Sequence, residues 1–226
     1  VAGGYYARHE GLHTDVAYAI ETHYLPKHAG DAVPTSTVAC AVSIADRLDT
    51  LTGIFGIGQE PSGSKDPFAL RRASIGILQI LLKNRLAIDL SELVRQAVAQ
   101  HQAIKDRAET EKKVCAYIFD RFTAHYQEQG ISTEVIQAVR AISAFDALDF
   151  DARIQAVTEF VQQPQSENLA AANKRVSNIL DKSDINVSSQ DFNAELMQEG
   201  EEKALANAIQ TKLVEITPLF DTGEYR

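Results

Sequence analysis

The sequence predicts an all-α protein from its composition, its apolar periodicity and its helix boundary signals. Alanine, leucine, isoleucine and glutamine are abundant, tryptophan is absent, and aromatic residues make up 7% of the 226 positions. Such a composition favours helices over strands. Apolar residues recur with a helical period through most of the chain. The 45% hydrophobic content is sufficient for a core, and the length suits one large domain or two small ones.

The helical period divides the chain into segments with recognisable ends. Pro26 closes the first segment, the glycines after Phe55 close the second, and Gly130 closes a later one. A polar stretch from Asp181 to Gln190 reads as a loop. The predicted helices are Asp15–Leu25, Ser36–Phe55, one opening at Asp66, Asp89–His101, Thr110–Glu128, Thr133–Ile142, Asp151–Gln162, Glu167–Leu180 and two pieces between Asp191 and Leu219.

The helix that opens at Asp66 has the strongest start signal. Asp66 suits the N-cap, and Pro67 suits the first helical position because its missing N–H costs nothing there. The helix is expected to end near Asn84 and Arg85. One face is predicted to enter the core: Leu70, Ala73, Ile77, Ile80 and Leu81. Arg71, Gln79 and Lys83 lie off that stripe, and Arg72 lies towards its edge.

Charge is unevenly distributed along a chain whose net charge is −9. Residues 61–113 carry 10 basic and 6 acidic side chains, a net of +4, between flanks of net −4 and −9. Charge alone favours a solvated face, although a basic segment also suits phosphate contacts. Lys65, Arg71 and Arg72 are the candidates there. The pair Lys174 and Arg175, in the middle of a helix, fits a solvated face or a phosphate contact equally well.

Targeting signals and cysteine spacing give few clues. No run of 18 apolar residues exists, so no membrane span is expected. The first residues resemble no signal peptide and lack an initiator Met, which suggests a fragment of a longer protein. Cys40 and Cys115 have no metal or redox spacing and are predicted to be buried, reduced thiols of a cytoplasmic protein.

The glycines between Gly53 and Gly63 do not form a known phosphate loop. Gly58 and Gly63 have P-loop spacing, but Ser64-Lys65 follows where Lys-Ser or Lys-Thr is required. No strand pattern precedes them. A tight, exposed connection between helices is the preferred interpretation.

A metal site is the weaker interpretation of the acidic residues. His9, Glu10 and Asp46 are candidate ligands, and Asp49 shares a helix face with Asp46. Arg8 and Arg47 offer ordinary ion-pair partners, which favours structure over metal. No catalytic triad can be assembled from the order of residues, and no catalytic residue is assigned.

Two stretches carry a resemblance to a known family. VACAVSIADRLDTLTGIFGIGQEPSGSKDPFALRRASIGILQILL (residues 38–82) resembles the beta subunit of the bacterial two-subunit glycyl-tRNA synthetase. The resemblance continues upstream through GGYYARHEG and VAYAIETHYLP, and downstream through LAAANKRVSNIL. It covers essentially the whole chain and is densest from residue 3 to residue 85.

The resemblance implies a fold, a function and partners. Residues 1–147 correspond to an HD-like helical domain whose N-terminal part is missing. Residues 148–226 correspond to the start of a helical anticodon-binding region. The stretch AFDALDFD at residues 144–151 is, from the sequence itself, the candidate domain boundary. The family enzyme is a cytoplasmic heterotetramer of two alpha and two beta chains. The alpha chain holds glycine, ATP and Mg²⁺, whereas the beta chain binds tRNA, so no cofactor is expected here.

The HD-like label raises an alternative function. HD hydrolases hold metal with a His, a His-Asp pair and a later Asp. Asp46 resembles the later Asp, but His9-Glu10 stands where His-Asp is expected. That departure indicates a fold reused for binding. A metal-dependent phosphohydrolase, and a helical scaffold for alpha-subunit assembly without RNA contact, are the alternatives to a tRNA-binding role.

Overall fold

A computed structural model describes residues 2–28, 30–62, 65–142, 146–182 and 199–225. Ten helices and no strand occur in these ranges, which confirms the all-α prediction. None of the helices in the described ranges combines the length and apolar character that crossing a membrane requires.

The helices fall into two compact units, Val1–Asp151 and Ala152–Arg226. The assignment of HD-like and anticodon-binding domains to the two parts of the chain stays a prediction. In chain order the helices are α1 (Ala2–His9), α2 (Thr14–Thr22), α3 (Thr37–Gly56), α4 (Leu70–Lys83), α5 (Leu90–Gln100), α6 (Arg107–Glu128), α7 (Thr133–Arg140), α8 (Ala147–Val161), α9 (Pro164–Lys182) and α10 (Gly200–Asp221).

Helix α3 is the centre of the first unit, because it packs against α2, α4, α5 and α6. Its buried residues recur every three or four positions and include Cys40, Ile44, Leu48 and Phe55. Ser36 caps its N-terminus, since the hydroxyl oxygen of Ser36 accepts a hydrogen bond from the Ala39 N–H at 3.2 Å. The solvent side of α3 still exposes apolar side chains, so the helix is buried along one broad stripe rather than on most faces.

Helix α4 begins at Leu70, so the predicted start at Pro67 is wrong. Ala69 has a φ of 55°, in the left-handed region, and interrupts the helical path after Asp66. Asp66 still caps the helix from upstream. Its two carboxylate oxygens accept hydrogen bonds from the Leu70 N–H at 2.8 Å and the Arg71 N–H at 3.0 Å. The predicted end is correct, because Asn84 is the C-cap.

The buried face of α4 is wider than the sequence stripe. Leu70, Ile77, Ile80 and Leu81 are fully buried as predicted, whereas Ala73 is only half-buried. Gln79, predicted to lie off the stripe, is also buried. The reason is that α4 packs against both α3 and α6, so two of its faces are covered.

Two glycines near the end of α3 serve close packing rather than an exit from the helix. A Cβ on Gly56 would lie 2.5 Å from the side chain of Ile104, and one on Gly53 would lie 3.2 Å from the His101 ring. Helix α3 therefore runs on to Gly56, with the segment that follows α5 seated against it. Gly58, at a φ of 73°, makes the actual turn.

Other boundaries differ from the prediction by a few residues. Helix α6 begins three residues before Thr110, because Asp106 is its N-cap and accepts a hydrogen bond from the Glu109 N–H at 3.0 Å. Helix α8 begins at Ala147, with Asp146 accepting from the Leu148 N–H at 2.8 Å. Residues 200–221 form one helix. Of the two pieces expected between Asp191 and Leu219, the part at residues 191–198 lies outside the described residues. Residues 181 and 182 belong to α9, and the rest of the predicted loop lies outside the described residues.

The second unit leaves much apolar surface exposed in its described part. Val176, Ile179 and Leu180 of α9 are 54%, 59% and 44% exposed. Helical apolar residues are buried only where another element covers them, and the described residues do not cover this face. Arg153 stacks over two rings, 4.6 Å from the centroid of Phe220 and 4.4 Å from that of Tyr225.

Both cysteines are free and buried, which confirms the prediction that they are buried. Burial raises the pKa of the Cys115 thiol to about 11. Burial also raises the pKa of Cys40.

Candidate nucleic-acid interface

The candidate site is built around Arg47, a buried arginine on α3. Its guanidinium donates hydrogen bonds to the carbonyl oxygens of His23 at 2.9 Å, Tyr24 at 3.1 Å and Pro26 at 3.2 Å. It also donates to the carbonyl of Ser43 at 2.9 Å. Arg47 was expected to pair with nearby carboxylates, and this expectation is wrong, because its donors are taken up by main-chain carbonyls.

Ser43 completes the anchoring of the same loop. Its Oγ lies 2.8 Å from the His23 carbonyl and 2.9 Å from the Leu25 carbonyl. Arg47 and Ser43 together therefore satisfy four successive carbonyls, from His23 to Pro26. Buried carbonyls without partners would be costly, so these contacts fix the path of the loop that joins α2 to α3. Burial lowers the pKa of Arg47, while the neighbouring Asp46 carboxylate opposes that shift.

Gly76 of α4 provides the space that Arg47 occupies. A Cβ at residue 76 would lie 2.6 Å from Nε of Arg47 and 3.3 Å from its Cδ. The guanidinium is held by several hydrogen bonds and has little freedom to retreat. The absence of a side chain at Gly76 thus allows α4 to approach α3 closely beneath the site.

An open cleft of about 440 Å³ lies above this anchor. Three parts of the chain form its walls: the loop after α2, the exposed side of α3, and the turn that leads into α4. Its lining residues include Tyr24, Lys27, Asp46, Arg47, Phe68 and Arg72. We call this feature the Tyr24–Phe68 cleft.

The two adjacent arginines of α4 have different surroundings. Arg72 is exposed, lines the Tyr24–Phe68 cleft, and forms no ion pair with the residues that the structure describes. Arg71 is half-buried. Burial raises the pKa of the Tyr117 hydroxyl on α6 and the Asp66 carboxylate raises it further, whereas the Arg71 guanidinium is close enough to oppose the rise. Arg71 therefore faces α6, and Arg72 faces the cleft.

The remaining basic candidates lie elsewhere. Lys65 is exposed at the turn before α4 and does not line the cleft. Lys174 and Arg175 lie in the second unit, where they form one exposed face of α9 together with Asn178 and Lys182. The structure thus brings Lys174 and Arg175 together with a third cation that the sequence interpretation omitted.

Comparison with known proteins decides the family. The family described as glycyl-tRNA synthetase beta subunit matches residues 1–141, which is more than half of the chain. The chain belongs to the glycyl-tRNA synthetase beta subunit family. This finding confirms the resemblance drawn from residues 38–82.

Relatives of this family match over the whole chain. Glycine–tRNA ligase beta subunits are 45% identical over 225 residues in Marinobacter nauticus, 47% over 226 in Actinobacillus pleuropneumoniae serotype 3, and 46% over 226 in Pseudomonas aeruginosa strain LESB58. Each alignment covers 100% of this chain but only 32% or 33% of the relative. The chain therefore spans about a third of the length of these beta subunits.

The metal ligands that a hydrolase would need are not assembled in this member of the beta subunit family. His9 and Glu10 are exposed at the end of α1, and Asp46 lines the Tyr24–Phe68 cleft. Within the described ranges, which include all three residues, no three His, Cys, Asp or Glu side chains form a group that could hold a metal ion. The Asp49 carboxylate lies beside His101, with 3.3 Å between Oδ1 of Asp49 and Nε2 of His101. Asp49 does not line the Tyr24–Phe68 cleft, whereas Asp46 does.

Sequence reasoning missed Tyr24, Lys27 and Phe68 as members of the candidate site. Each stands in a short connection beside a proline, in HYLPK and DPFAL, where an aromatic side chain has no helical core face to join. The helical pattern predicts Tyr24 within the helix Asp15–Leu25 and Phe68 within the helix opening at Asp66, whereas the observed helices end at Thr22 and begin at Leu70. The pattern also does not reveal that the two connections lie side by side.

Proposed function

We propose that this chain is a tRNA-binding part of a glycine–tRNA ligase beta subunit. Family membership supports the enzyme context, since the relatives are glycine–tRNA ligase beta subunits. The observation that carries RNA binding is the Tyr24–Phe68 cleft, where Lys27 and Arg72 stand beside exposed aromatic rings. Cations that contact phosphates and aromatic rings that stack on bases are the usual components of RNA-binding surfaces.

The chemistry of the ligase belongs to another chain in this proposal. Glycine, ATP and Mg²⁺ bind to an alpha subunit, and two alpha and two beta chains form the enzyme. No residue of this chain is assigned a catalytic role. Its contribution is to hold glycine-acceptor tRNA for ATP-dependent attachment of glycine.

The proposed RNA contacts are not equal among the basic candidates. Arg72 contributes most in the first unit, because it is exposed and faces the cleft. Arg71 contributes less, because its guanidinium lies beside Tyr117. Lys65, and the α9 face that carries Lys174 and Arg175, are proposed as additional phosphate contacts.

The proposal is tested by replacing Arg72 and measuring tRNA affinity. Arg72→Ala removes one phosphate contact, so it is expected to weaken glycine-acceptor and non-cognate tRNA alike and to reduce the slope of log K against log salt by about 1. Arg107→Ala is the matched control. Arg107 is also an exposed arginine in the first turn of a helix, but it does not line the cleft.

Fluorescence anisotropy across a salt series provides the measurement. Equal affinities and equal salt slopes for Arg72→Ala and Arg107→Ala would contradict a role for the cleft in RNA binding. The double variant Arg71→Ala plus Arg72→Ala is expected to bind tRNA more weakly while remaining folded. Circular dichroism checks its folding, and an unfolded double variant would place Arg71 in a structural role.

A scaffold for the alpha subunit is the second candidate function. The exposed apolar side chains of α9, among them Val176 and Ile179, favour a protein partner for the second unit. Co-purification of the alpha subunit with this chain, together with an absence of RNA binding at low salt, would support the scaffold over the tRNA-binding role.

A further inference from the structure

The Tyr24–Phe68 cleft has aromatic rings exposed on two of its walls. Tyr24 is 65% exposed and Phe68 is 42% exposed, although both rings lie in a concavity large enough to bury them against a ligand. The cleft volume of about 440 Å³ is within the range typical of small-ligand pockets. Lys27 and Arg72 line the same cleft. The cleft therefore combines flat apolar surfaces with positive charge.

The aromatic wall formed by Tyr24 is held in place before any ligand arrives. Arg47 donates to the Tyr24 carbonyl at 3.1 Å, which fixes the main chain. The ring of Tyr24 leans on the ring of His23, with centroids 3.9 Å apart. His23 is itself held, because its Nδ1 lies 2.9 Å from the Ile20 carbonyl. Preorganisation of this kind reduces the entropy lost on binding.

Asp46 gives the cleft a second kind of polar group. Its carboxylate is exposed and lines the cleft, and it accepts no hydrogen bond from the part of the chain that the structure describes. A carboxylate repels a phosphate, so Asp46 is unsuited to contacts with the sugar–phosphate backbone of RNA. It is suited to accept hydrogen bonds from the amino group of a base.

We propose that the Tyr24–Phe68 cleft binds one unstacked nucleotide of single-stranded RNA. The base stacks on Tyr24 and Phe68, Lys27 and Arg72 contact the adjoining phosphates, and Asp46 accepts a hydrogen bond from an exocyclic amino group. Adenine, cytosine and guanine carry such a group, whereas uracil does not. A paired base is excluded, because its faces are covered by neighbouring base pairs. This inference rests on the proposed RNA-binding function and specifies what the site recognises.

The first test compares short oligoadenylate and oligouridylate with a blunt RNA duplex of the same length. Tyr24→Ala and Phe68→Ala are each expected to weaken oligoadenylate binding about 5- to 100-fold, which corresponds to the loss of one base–aromatic stack. Duplex binding and the salt slope are expected to change little. Tyr24→Phe, which keeps the ring, and Tyr6→Ala, which removes an exposed tyrosine outside the cleft, are expected to bind like the unmodified chain.

Asp46→Asn tests whether the Asp46 carboxylate recognises the exocyclic amino group of the bound base. The unmodified chain is expected to prefer oligoadenylate over oligouridylate by about fivefold or more. The amide of asparagine both donates and accepts, so this preference is expected to fall towards unity. A preference that is unchanged in Asp46→Asn would overturn the role of Asp46.

The unmodified chain provides a test that does not depend on any variant folding. An oligouridylate with one 2-aminopurine is expected to lose fluorescence when it binds, because its uridine neighbours stack weakly on the probe in free RNA and stacking on an aromatic ring quenches it. Unchanged fluorescence at saturation, or unchanged affinity in both Tyr24→Ala and Phe68→Ala, would overturn this inference. If tRNA binding and its dependence on Arg72 persisted in that case, the proposed function would stand. If the unmodified chain bound no RNA at all, the proposed function would be overturned instead.

Discussion

Arg47 organises the Tyr24–Phe68 cleft although its own side chain is almost entirely buried. Its guanidinium is buried beneath the Tyr24–Phe68 cleft and bonds to main-chain carbonyls between His23 and Pro26. No sequence pattern indicates this arrangement, because main-chain carbonyls carry no side-chain signature and these carbonyls lie more than 20 positions from Arg47. An acidic neighbour, Asp46, made an ion pair the obvious expectation. Long-range main-chain contacts are the part of a site that sequence patterns do not encode.

Gly76→Ala is predicted to destabilise the first unit. The added Cβ would meet Nε of Arg47 at 2.6 Å, and overpacking of this kind costs about 1–3 kcal/mol. Alanine is the better helix former by about 1 kcal/mol, so a lower free energy of unfolding by about 1 kcal/mol is expected. RNA affinity should fall as well, because Arg47 holds the loop that carries Tyr24. Urea unfolding and anisotropy measure the two effects.

Gly200→Ala is the control for that substitution. A Cβ at residue 200 would meet no atom within 4 Å, and Gly200 is the first residue of α10. This variant is expected to be as stable as the unmodified chain or slightly more stable. If Gly76→Ala behaved like Gly200→Ala, Arg47 would not be confined by α4 as described.

At the scale of helices, the predicted starts of α3 and α5 are correct, whereas those of α4, α6 and α8 are not. Ser36 and Asp89 are observed N-caps, and α3 and α5 begin one residue after them. Helix α4 is the most instructive of these, since Asp66 caps it from four residues upstream, across a turn that ends at the left-handed Ala69. Alanine has no preference for that conformation, so nothing local indicated the break. The same turn places Phe68 in the cleft, and the missed boundary and the missed site residue have one cause.

Asp66→Ala is predicted to destabilise α4. The substitution removes acceptors for the N–H groups of Leu70 and Arg71, and loss of a side-chain cap typically costs about 0.5–2 kcal/mol. Because α4 presents Arg72 and follows Phe68, RNA affinity is expected to decrease too. Urea unfolding monitored by circular dichroism measures the stability change.

Asp66→Asn separates capping from charge. Asparagine keeps one acceptor oxygen but replaces the other with an NH2 donor that cannot accept from a backbone N–H, so only part of the stability lost in Asp66→Ala is expected to return. Asp66→Ala with an unchanged unfolding midpoint would contradict the capping role of Asp66.

On the scale of the whole molecule, net charge describes the candidate interface poorly. The chain carries −9 overall, and two cations of the basic central segment form ion pairs within the fold. Lys113 pairs with Glu60, and Arg95 pairs with Glu92. What distinguishes Arg72 is its position in a concave, aromatic surface rather than its membership of a basic segment. Composition predicted the fold class, whereas the cleft required the three-dimensional arrangement.

Family membership adds what composition and periodicity left open. Helical period and capping residues predicted most helices, but an acidic helical chain fits many functions. The long stretch around residues 38–82 carried the resemblance, and the match over residues 1–141 confirmed it. Because the chain spans only about a third of the relatives' length, RNA binding by these residues alone is the claim that most needs a direct test.

Anisotropy of labelled glycine-acceptor tRNA against the unmodified chain tests that claim most directly. The titration is run between about 50 and 200 mM salt, with a non-cognate tRNA in parallel. We expect binding of the cognate tRNA at low salt and a steep loss of affinity as salt rises, because phosphate contacts release counterions. An absence of binding even at the lowest salt would contradict the account and leave this chain as a helical scaffold within the enzyme.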